Sequence, residues 1–188
     1  MEKKRFLDLV LCAFAFALLG VPLLIVFLAV KLTSKGPALH WSKRIGQNNE
    51  IFLMPKFRSM RVDTPQVATH LLTDPGQYLT PIGGFIRKTS LDELPQLLSV
   101  LKGDMSFVGP RPALFNQDDL RDLRTQYGVQ KLKPGITGWA QVNGRDELPI
   151  PVKVEFDKYY LENYSVSLDI KILFLTVLKV LKRDGVSH

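Results

Sequence analysis

The hydrophobic pattern begins with an unbroken apolar run from Leu9 to Val30. These 22 residues contain no charged side chain. As a helix they would be about 33 Å long, enough to cross the hydrocarbon core of a bilayer, which is about 30 Å thick. The run therefore predicts contact with membrane lipid. A removable signal peptide is one alternative, although Lys-Leu-Thr-Ser-Lys follows Val30 in place of a small-residue cleavage site.

Gly20 and Pro22 interrupt this run near its middle. Proline removes a backbone donor and costs a straight helix about 3 kcal/mol, and each half of the segment 6–32 would be only about 18 to 20 Å long. Basic residues flank the run on both sides, whereas a spanning helix usually carries its excess on the cytoplasmic side. A simple spanning helix is the second alternative. The pattern favours a re-entrant helix-hairpin within residues 1–35, which enters and leaves the membrane on one side.

The pattern changes after residue 35, and residues 36–188 have the mixed periodicity of one folded domain. Two short strand-like runs in residues 38–58 surround a turn cluster, Gly46-Gln47-Asn48-Asn49, and predict a small β-hairpin. Helical spacing predicts helices over 90–102, 113–130, 151–163 and 168–182. Residues 62–81 predict a loop with room for one short helix, and the segments 103–112 and 133–145, rich in Gly and Pro, predict irregular structure. The predicted fold class is α+β and mostly helical.

The last predicted helix, 168–182, has apolar residues at helical spacing on one face, and Lys171 and Lys179 border that face. One interpretation is a helix packed on the protein core. The other is a C-terminal amphipathic helix that lies in the membrane interface, where lysines flank a buried apolar stripe. The sequence leaves both interpretations open.

The positions of the charges along the chain indicate the kind of partner more clearly than their sum does. The chain of 188 residues has a formal net charge of +7 and a pI of about 9.5. Seven cationic residues and two acidic residues fall in the first 44, which gives +5 next to the apolar run. This placement favours anionic lipid over nucleic acid, because the cations cluster beside the apolar run and not in a patch with interleaved aromatic residues. Cys12 is the only cysteine, so the chain has no internal disulfide and a reducing, cytoplasm-facing environment is the simpler reading.

Two adjacent carboxylates, Asp92 and Glu93, follow Ser90 at the start of a predicted helix. Ser-x-x-Glu is the capping-box pattern, in which the Ser caps the helix and the Glu reaches back to the Ser amide. The pattern alone therefore predicts a structural role for both residues. It also predicts that the positive end of the helix keeps the Asp92 carboxylate ionised, as a nucleophile or metal ligand requires.

Cationic residues in turn-like or strand-edge segments accompany the acidic pair. Arg111 lies between two prolines in GPRP, and a rigidly presented guanidinium suits phosphate. Taken singly, each cation has the simpler interpretation of a solvated charge. Together with the carboxylates they predict Mg²⁺-assisted phosphoryl transfer, and no P-loop or zinc-protease motif competes with that prediction. The cations are Lys56, Arg58, Arg87, Arg111 and Arg145.

Three segments in order, KFRSM at 56–60, RKTSLDELPQLLSVLKGDMSFVGPRP at 87–112 and KPGITGWAQVNGR at 133–145, closely resemble the bacterial sugar transferase family. Its members are monotopic polyprenyl-phosphate phosphoglycosyl transferases. The resemblance extends over almost the whole chain, which looks like the minimal catalytic form. It implies an enzyme of the bacterial inner membrane with its catalytic domain on the cytoplasmic face, which transfers sugar 1-phosphate from a UDP-sugar to polyprenyl phosphate and releases UMP.

The resemblance also implies roles for individual residues. Asp92 matches the nucleophile that forms a phosphosugar intermediate and contacts Mg²⁺, and Glu93 matches the second member of the dyad. Lys56, Arg87 and Arg111 match cationic residues that handle phosphate, and Gln141 and Arg145 match the third motif as substrate-binding residues. One departure is Val21 before Pro22, where family members often carry Ser, so the membrane-helix break would rest on Gly20 and Pro22.

Two other function classes remain open. A non-enzymatic membrane scaffold of a glycan pathway would share the apolar segment but would not need the dyad. A nucleic-acid binder is suggested only by the high pI. The sequence does not identify the transferred sugar, the glycan pathway or the oligomeric state.

Overall fold

A computed structural model describes residues 2–64, 74–144 and 148–182. Within these ranges it contains seven α-helices and four β-strands. The helices are α1 Glu2–Thr33, α2 Gly83–Lys88, α3 Leu97–Lys102, α4 Asp118–Gln126, α5 Trp139–Asn143, α6 Ile150–Glu162 and α7 Val166–Lys182. The strands are β1 Leu39–Ile45, β2 Ile51–Phe57, β3 Ser106–Val108 and β4 Gly135–Thr137, and short 3₁₀ helices cover Gln47–Asn49, Pro75–Tyr78, Leu91–Gln96 and Val129–Lys131. The mostly helical α+β class is confirmed.

Strands β1 and β2 form the predicted hairpin. They pair antiparallel from Leu39 opposite Phe57 to Ile45 opposite Ile51. The sheet has only these two strands among the described residues, so Pro55 lies in an edge strand, where a missing amide donor is tolerated. The hairpin carries Lys56 near the end of β2, and this placement matters for the site.

The prediction of irregular structure over 103–112 and 133–145 was wrong in part, because these segments contain β3, β4 and α5. Strands β3 and β4 pair in parallel, with Ser106 opposite Gly135. A Cβ atom on Gly135 would lie 2.1 Å from the backbone nitrogen of Gly109. The glycines therefore mark a close approach of two backbones. Helix α4 is also shorter than the predicted helix 113–130, whereas α6 and α7 agree with prediction.

Helix α1 runs without interruption through Gly20 and Pro22. The predicted helix-hairpin, with two arms and a break between them, is therefore not confirmed. The face that points away from the domain is apolar and exposed at Phe14, Leu18 and Val21, which are 63–69% accessible. This helix is long and apolar enough to cross a membrane by length and composition.

Both ends of α1 bind the folded domain. Near the N-terminus, Lys4 donates to Asp169 at 2.8 Å, and Asp8 accepts from the Ser106 hydroxyl at 2.9 Å. In the C-terminal half, Val26 and Val30 pack in a core cluster with residues of the hairpin and α2. One helix is thus attached to the same domain at two points that lie some 20 residues apart.

Helix α7 is apolar on two sides. Ile172 is buried against β3, α5 and α6, which fixes the helix on the domain. Ile170, Phe174 and Val177, three residues of the apolar face expected from the sequence, are 56–62% accessible. Packing on the core therefore does not account for this face.

Candidate active site

The backbone around the acidic pair differs from the predicted capping box. Ser90 has a left-handed conformation (φ 56°), and its side chain makes no capping hydrogen bond. Its carbonyl accepts from the Glu93 amide at 3.2 Å, at the start of the 3₁₀ helix Leu91–Gln96. A capping box requires an extended N-cap residue, so the prediction was wrong. The Glu93 side chain is therefore available to bind residues from distant segments of the chain.

The Glu93 carboxylate is bound by two cations from distant segments. Its Oε1 atom accepts from Lys56 Nζ at 2.7 Å and from Arg111 Nη2 at 3.2 Å. Burial by itself would raise the pKa of Glu93, but Arg111 and Lys56 outweigh it and hold the pKa well below its usual range. Glu93 is therefore a permanent anion that fixes both cations.

Asp92 is in a different electrostatic state. No hydrogen bond from a described side chain reaches its carboxylate, which is partly buried. Burial, with a smaller contribution from Glu93, raises the pKa of Asp92 to about 6, against the opposing effect of Lys56 and Arg87. Burial thus opposes the effect of the helix start, which was expected to keep this carboxylate ionised. Near pH 7 it is mostly charged but poorly solvated, a state that favours nucleophilic attack.

Three of the predicted cations lie around the dyad, and a fourth has a structural role elsewhere. Lys56 and Arg111 contact Glu93, and Arg87, in the last turn of α2, acts on the charge of Asp92. Arg58 is buried and donates to the Pro37 carbonyl at 2.6 Å, so it fixes the chain between α1 and β1. Arg145 lies outside the described residues.

A cavity of about 260 Å³ is linked to the dyad through Arg111. Arg111 lines it and also contacts Glu93, which connects the two. Five further polar side chains line it: Arg44 of β1, Gln117 before α4, Arg124 of α4, Gln141 of α5 and Lys153 of α6. Residues distant in sequence thus form a cationic cavity linked to the acidic pair, and Arg44 and Lys153 were missed from the sequence.

Arg124 and Asp157 form a buried ion pair behind Arg111. Two nitrogens of Arg124 donate to Asp157 Oδ2 at 2.9 and 2.6 Å. A third nitrogen donates to the backbone carbonyl of Arg111 at 2.9 Å. The sequence predicted only a helix over 113–130 and no buried role for Arg124. The signal available was the spacing of Arg124, four residues after the buried Leu120 and hence on the same face.

Comparison with known proteins shows the family of this chain. Residues 1–183 match the family model described as bacterial sugar transferase. The chain belongs to this family. Among its relatives, an uncharacterized sugar transferase EpsL of Bacillus subtilis is 43% identical over all of this chain and 92% of that protein.

Two relatives of this family member carry more specific names. The UDP-glucose:undecaprenyl-phosphate glucose-1-phosphate transferase of Escherichia coli is 44% identical over 94% of this chain and 39% of that protein. The undecaprenyl-phosphate galactose phosphotransferase of Salmonella typhimurium is 40% identical over 97% of this chain and 41% of that protein. The chain thus spans about two fifths of the length of these named transferases.

The raised pKa of Asp92 leads to a prediction about stability. The group binds its proton more tightly when folded (pKa about 6) than when unfolded (about 3.9), so the ionised form destabilises the fold above pH 6 and this penalty disappears towards pH 4. We therefore expect Asp92→Asn to raise the free energy of unfolding by about 1–3 kcal/mol at pH 7.5, with a smaller gain at pH 4.5.

Thermal unfolding from pH 4.5 to pH 8 measures this difference. Glu155→Gln is the matched control, because Glu155 is an exposed carboxylate on α6 and should show no such pH-dependent gain. A gain for Asp92→Asn that does not change with pH would contradict the assigned burial of this carboxylate.

Proposed function

We propose that this chain transfers a sugar 1-phosphate from a UDP-sugar to polyprenyl phosphate and releases UMP, through a covalent intermediate on Asp92. The observation that carries the proposal is the contrast within the dyad. Asp92 is a desolvated carboxylate without a side-chain partner among the described residues, whereas Glu93 is held by Lys56 and Arg111. The names of the relatives from Escherichia coli and Salmonella typhimurium support the same reaction class.

The proposed reaction has two displacements at one phosphorus atom. A carboxylate oxygen of Asp92 attacks the phosphorus that carries the sugar and forms an O–P bond, while the bond to the UMP oxygen breaks and its electron pair leaves with UMP. An oxygen of polyprenyl phosphate then attacks the same phosphorus, and the bond to Asp92 breaks. This restores the carboxylate and gives the polyprenyl diphosphate sugar. Lys56, Arg87 and Arg111 stabilise the charge that develops on the phosphate oxygens.

The donor set is compatible with Mg²⁺. No group of three or more metal-ligating side chains occurs in the described ranges, but Mg²⁺ is often bound by one or two carboxylates together with substrate phosphates and water. The Asp92 and Glu93 carboxylates would supply such ligands. Once bound, Mg²⁺ would neutralise part of the diphosphate charge.

A turnover assay tests the proposed function. We expect the purified chain in detergent to release UMP from at least one member of a UDP-sugar panel when undecaprenyl phosphate is added, and we expect EDTA to stop the reaction until Mg²⁺ is restored. A non-enzymatic scaffold would release no UMP from any donor. Undiminished turnover in EDTA would contradict only the role of Mg²⁺ and would leave the proposed transfer reaction standing.

We further propose that the protein is monotopic on the cytoplasmic face of the bacterial inner membrane. The attachment of α1 at both ends supports this topology, because a helix that crosses the bilayer has its ends on opposite sides. Lys4 and Val26 both contact one domain, so the exposed apolar middle of α1 would enter the membrane from the side of that domain. The exposed face of α7 at Phe174 and Val177 would lie in the same interface.

Cysteine accessibility tests the topology. Starting from Cys12→Ser, single cysteines at Glu2 and at Glu155 should both be protected from an impermeant thiol reagent in intact cells and labelled after lysis. The two positions serve as controls for each other. Labelling of the cysteine at position 2 in intact cells, with position 155 still protected, would show that α1 spans the membrane.

A further inference from the structure

Gln141 has a buried side-chain amide with unmet hydrogen-bonding capacity. Neither its Oε1 nor its Nε2 atom has a hydrogen-bond partner among the described residues, and both atoms are inaccessible. Leaving such a buried group without a hydrogen-bond partner destabilises the folded state. Gln141 also lines the cavity of about 260 Å³ that is linked to the dyad through Arg111. When the side chain turns towards the cavity, its amide offers a ligand one donor and one acceptor.

The close packing of α5 restricts where this amide can lie. A Cβ atom at Gly138 would be 2.1 Å from the Gly109 carbonyl oxygen and 2.6 Å from Gln141 Oε1. Only glycine at position 138 therefore leaves room for the amide beside the loop that leads to Arg111. Gln141 thus lies close to the backbone of Gly138 and to the loop that leads to Arg111.

The polar residues of the cavity divide into two chemical kinds. Arg44, Arg111, Arg124 and Lys153 are cations, which suit the phosphates of a nucleotide, although Arg124 is already bound to Asp157. Gln117 and Gln141 carry neutral amides, and of these two only Gln141 has both amide atoms buried without a partner among the described residues. Gln141 is neutral and planar, and an amide of this kind pairs with a base edge through one donor and one acceptor. The uracil edge offers a matching N–H and C=O. The volume is below the range of roughly 300–1,000 Å³ for whole-ligand pockets, which suits one part of a UDP-sugar.

We propose that this cavity is the nucleotide subsite and that Gln141 recognises the base of the nucleotide, while Arg44, Arg111 and Lys153 bind its phosphates. This inference rests on the proposed function and assigns Gln141 to the base and not to phosphate. It predicts that loss of the Gln141 side chain weakens binding of the nucleotide but does not change binding of ribose phosphate, the nucleotide without its base.

Calorimetric titration of the full chain in detergent with UMP and with ribose 5-phosphate tests the assignment, since the two ligands share ribose and phosphate and differ by the base. Gln141→Leu keeps most of the side-chain volume but cannot form hydrogen bonds, and Gln141→Ala is the second variant in case Leu impairs folding. We expect either variant to bind UMP at least about tenfold more weakly and ribose 5-phosphate within about twofold of the unmodified chain.

Gln130→Ala is the matched control. Gln130 Oε1 is also buried without a partner in the described part of the chain, but it lines a separate cavity of about 30 Å³. This control should retain the preference for UMP over ribose 5-phosphate.

Each other outcome overturns the assignment. Unchanged UMP affinity in both Gln141 variants would rule out a contact between Gln141 and the base. An equal loss of affinity for UMP and for ribose 5-phosphate would show that Gln141 acts on phosphate or on the fold. If the unmodified chain turns over a UDP-sugar while its Gln141 variants bind UMP normally, only this assignment fails. If the unmodified chain neither binds UMP nor releases it, the proposed transfer fails as well.

Discussion

Asp92→Asn should reduce sugar-phosphate transfer by at least about a thousandfold, because the amide keeps the shape of the side chain but cannot attack phosphorus. The same change removes a charge that destabilises the folded state above pH 6. The variant is therefore expected to be inactive and at least as stable as the unmodified chain at pH 7.5. Loss of activity together with increased stability separates a chemical role from a structural one.

Intact-protein mass spectrometry provides the direct measurement. With UDP-sugar alone, the unmodified chain should gain the mass of one sugar phosphate, and Asp92→Asn should gain none. Glu155→Gln, the exposed control on α6, should form the adduct normally. Near-normal turnover by Asp92→Asn, or an adduct that survives the substitution, would rule out Asp92 as the nucleophile.

Local sequence patterns predicted the elements that depend on local interactions. The β1–β2 hairpin and helix α6 follow from alternation and helical spacing, and both are present. The long apolar helix α1 was also evident, although its backbone continues through Pro22. A proline in an apolar helix predicts weakened hydrogen bonding at one turn, which a helix can tolerate when other contacts hold both of its ends.

The arrangement of the candidate site could not be predicted from the sequence. Motif resemblance suggested the dyad and its cations, and their roles in the reaction stay a prediction. The capping box failed because Glu93 binds Lys56, 37 residues away, and Arg111, 18 residues away, in preference to a neighbour. A local rule cannot anticipate partners that only tertiary folding brings together. For the same reason the sequence did not reveal Arg44 and Lys153 in the cavity.

The glycine-rich segments show a second limit of prediction from local sequence. Gly109, Gly135 and Gly138 were taken as signs of irregular loops, but they allow β3, β4 and α5 to approach closely. Glycine composition is consistent with either a flexible turn or tight backbone packing, and only the partner segment distinguishes them.

Arg124→Met should lower the free energy of unfolding by about 3–5 kcal/mol, the second large effect expected. Arg124 is buried, and its removal would leave Asp157 as a buried carboxylate without its cation. Burial already raises the pKa of Asp157, against the opposing effect of Arg124. Without Arg124 that pKa rises further, so the variant should lose additional stability as the pH increases.

Chemical denaturation of four variants tests this prediction. Arg121→Met is the matched control, since Arg121 lies on the same helix but pairs with Asp118 and Asp122 at the surface, where solvent screens an ion pair and little stability depends on it. Asp157→Leu should be destabilising alone, because it leaves Arg124 buried without its carboxylate. A similar small loss in Arg124→Met and Arg121→Met would contradict the buried role.

The double variant Arg124→Met/Asp157→Leu separates the contribution to folding from the contribution to the site. Replacing both partners by apolar residues removes the unpaired charge, so stability should recover towards that of the unmodified chain. Transfer activity should not recover to the same extent, because the Arg111 carbonyl has lost the donor that it receives from Arg124 at 2.9 Å. Full recovery of both quantities would show that Arg124 serves the fold alone. Recovery of stability with reduced turnover would identify Arg124 as the residue that positions Arg111 against Glu93 and the cavity.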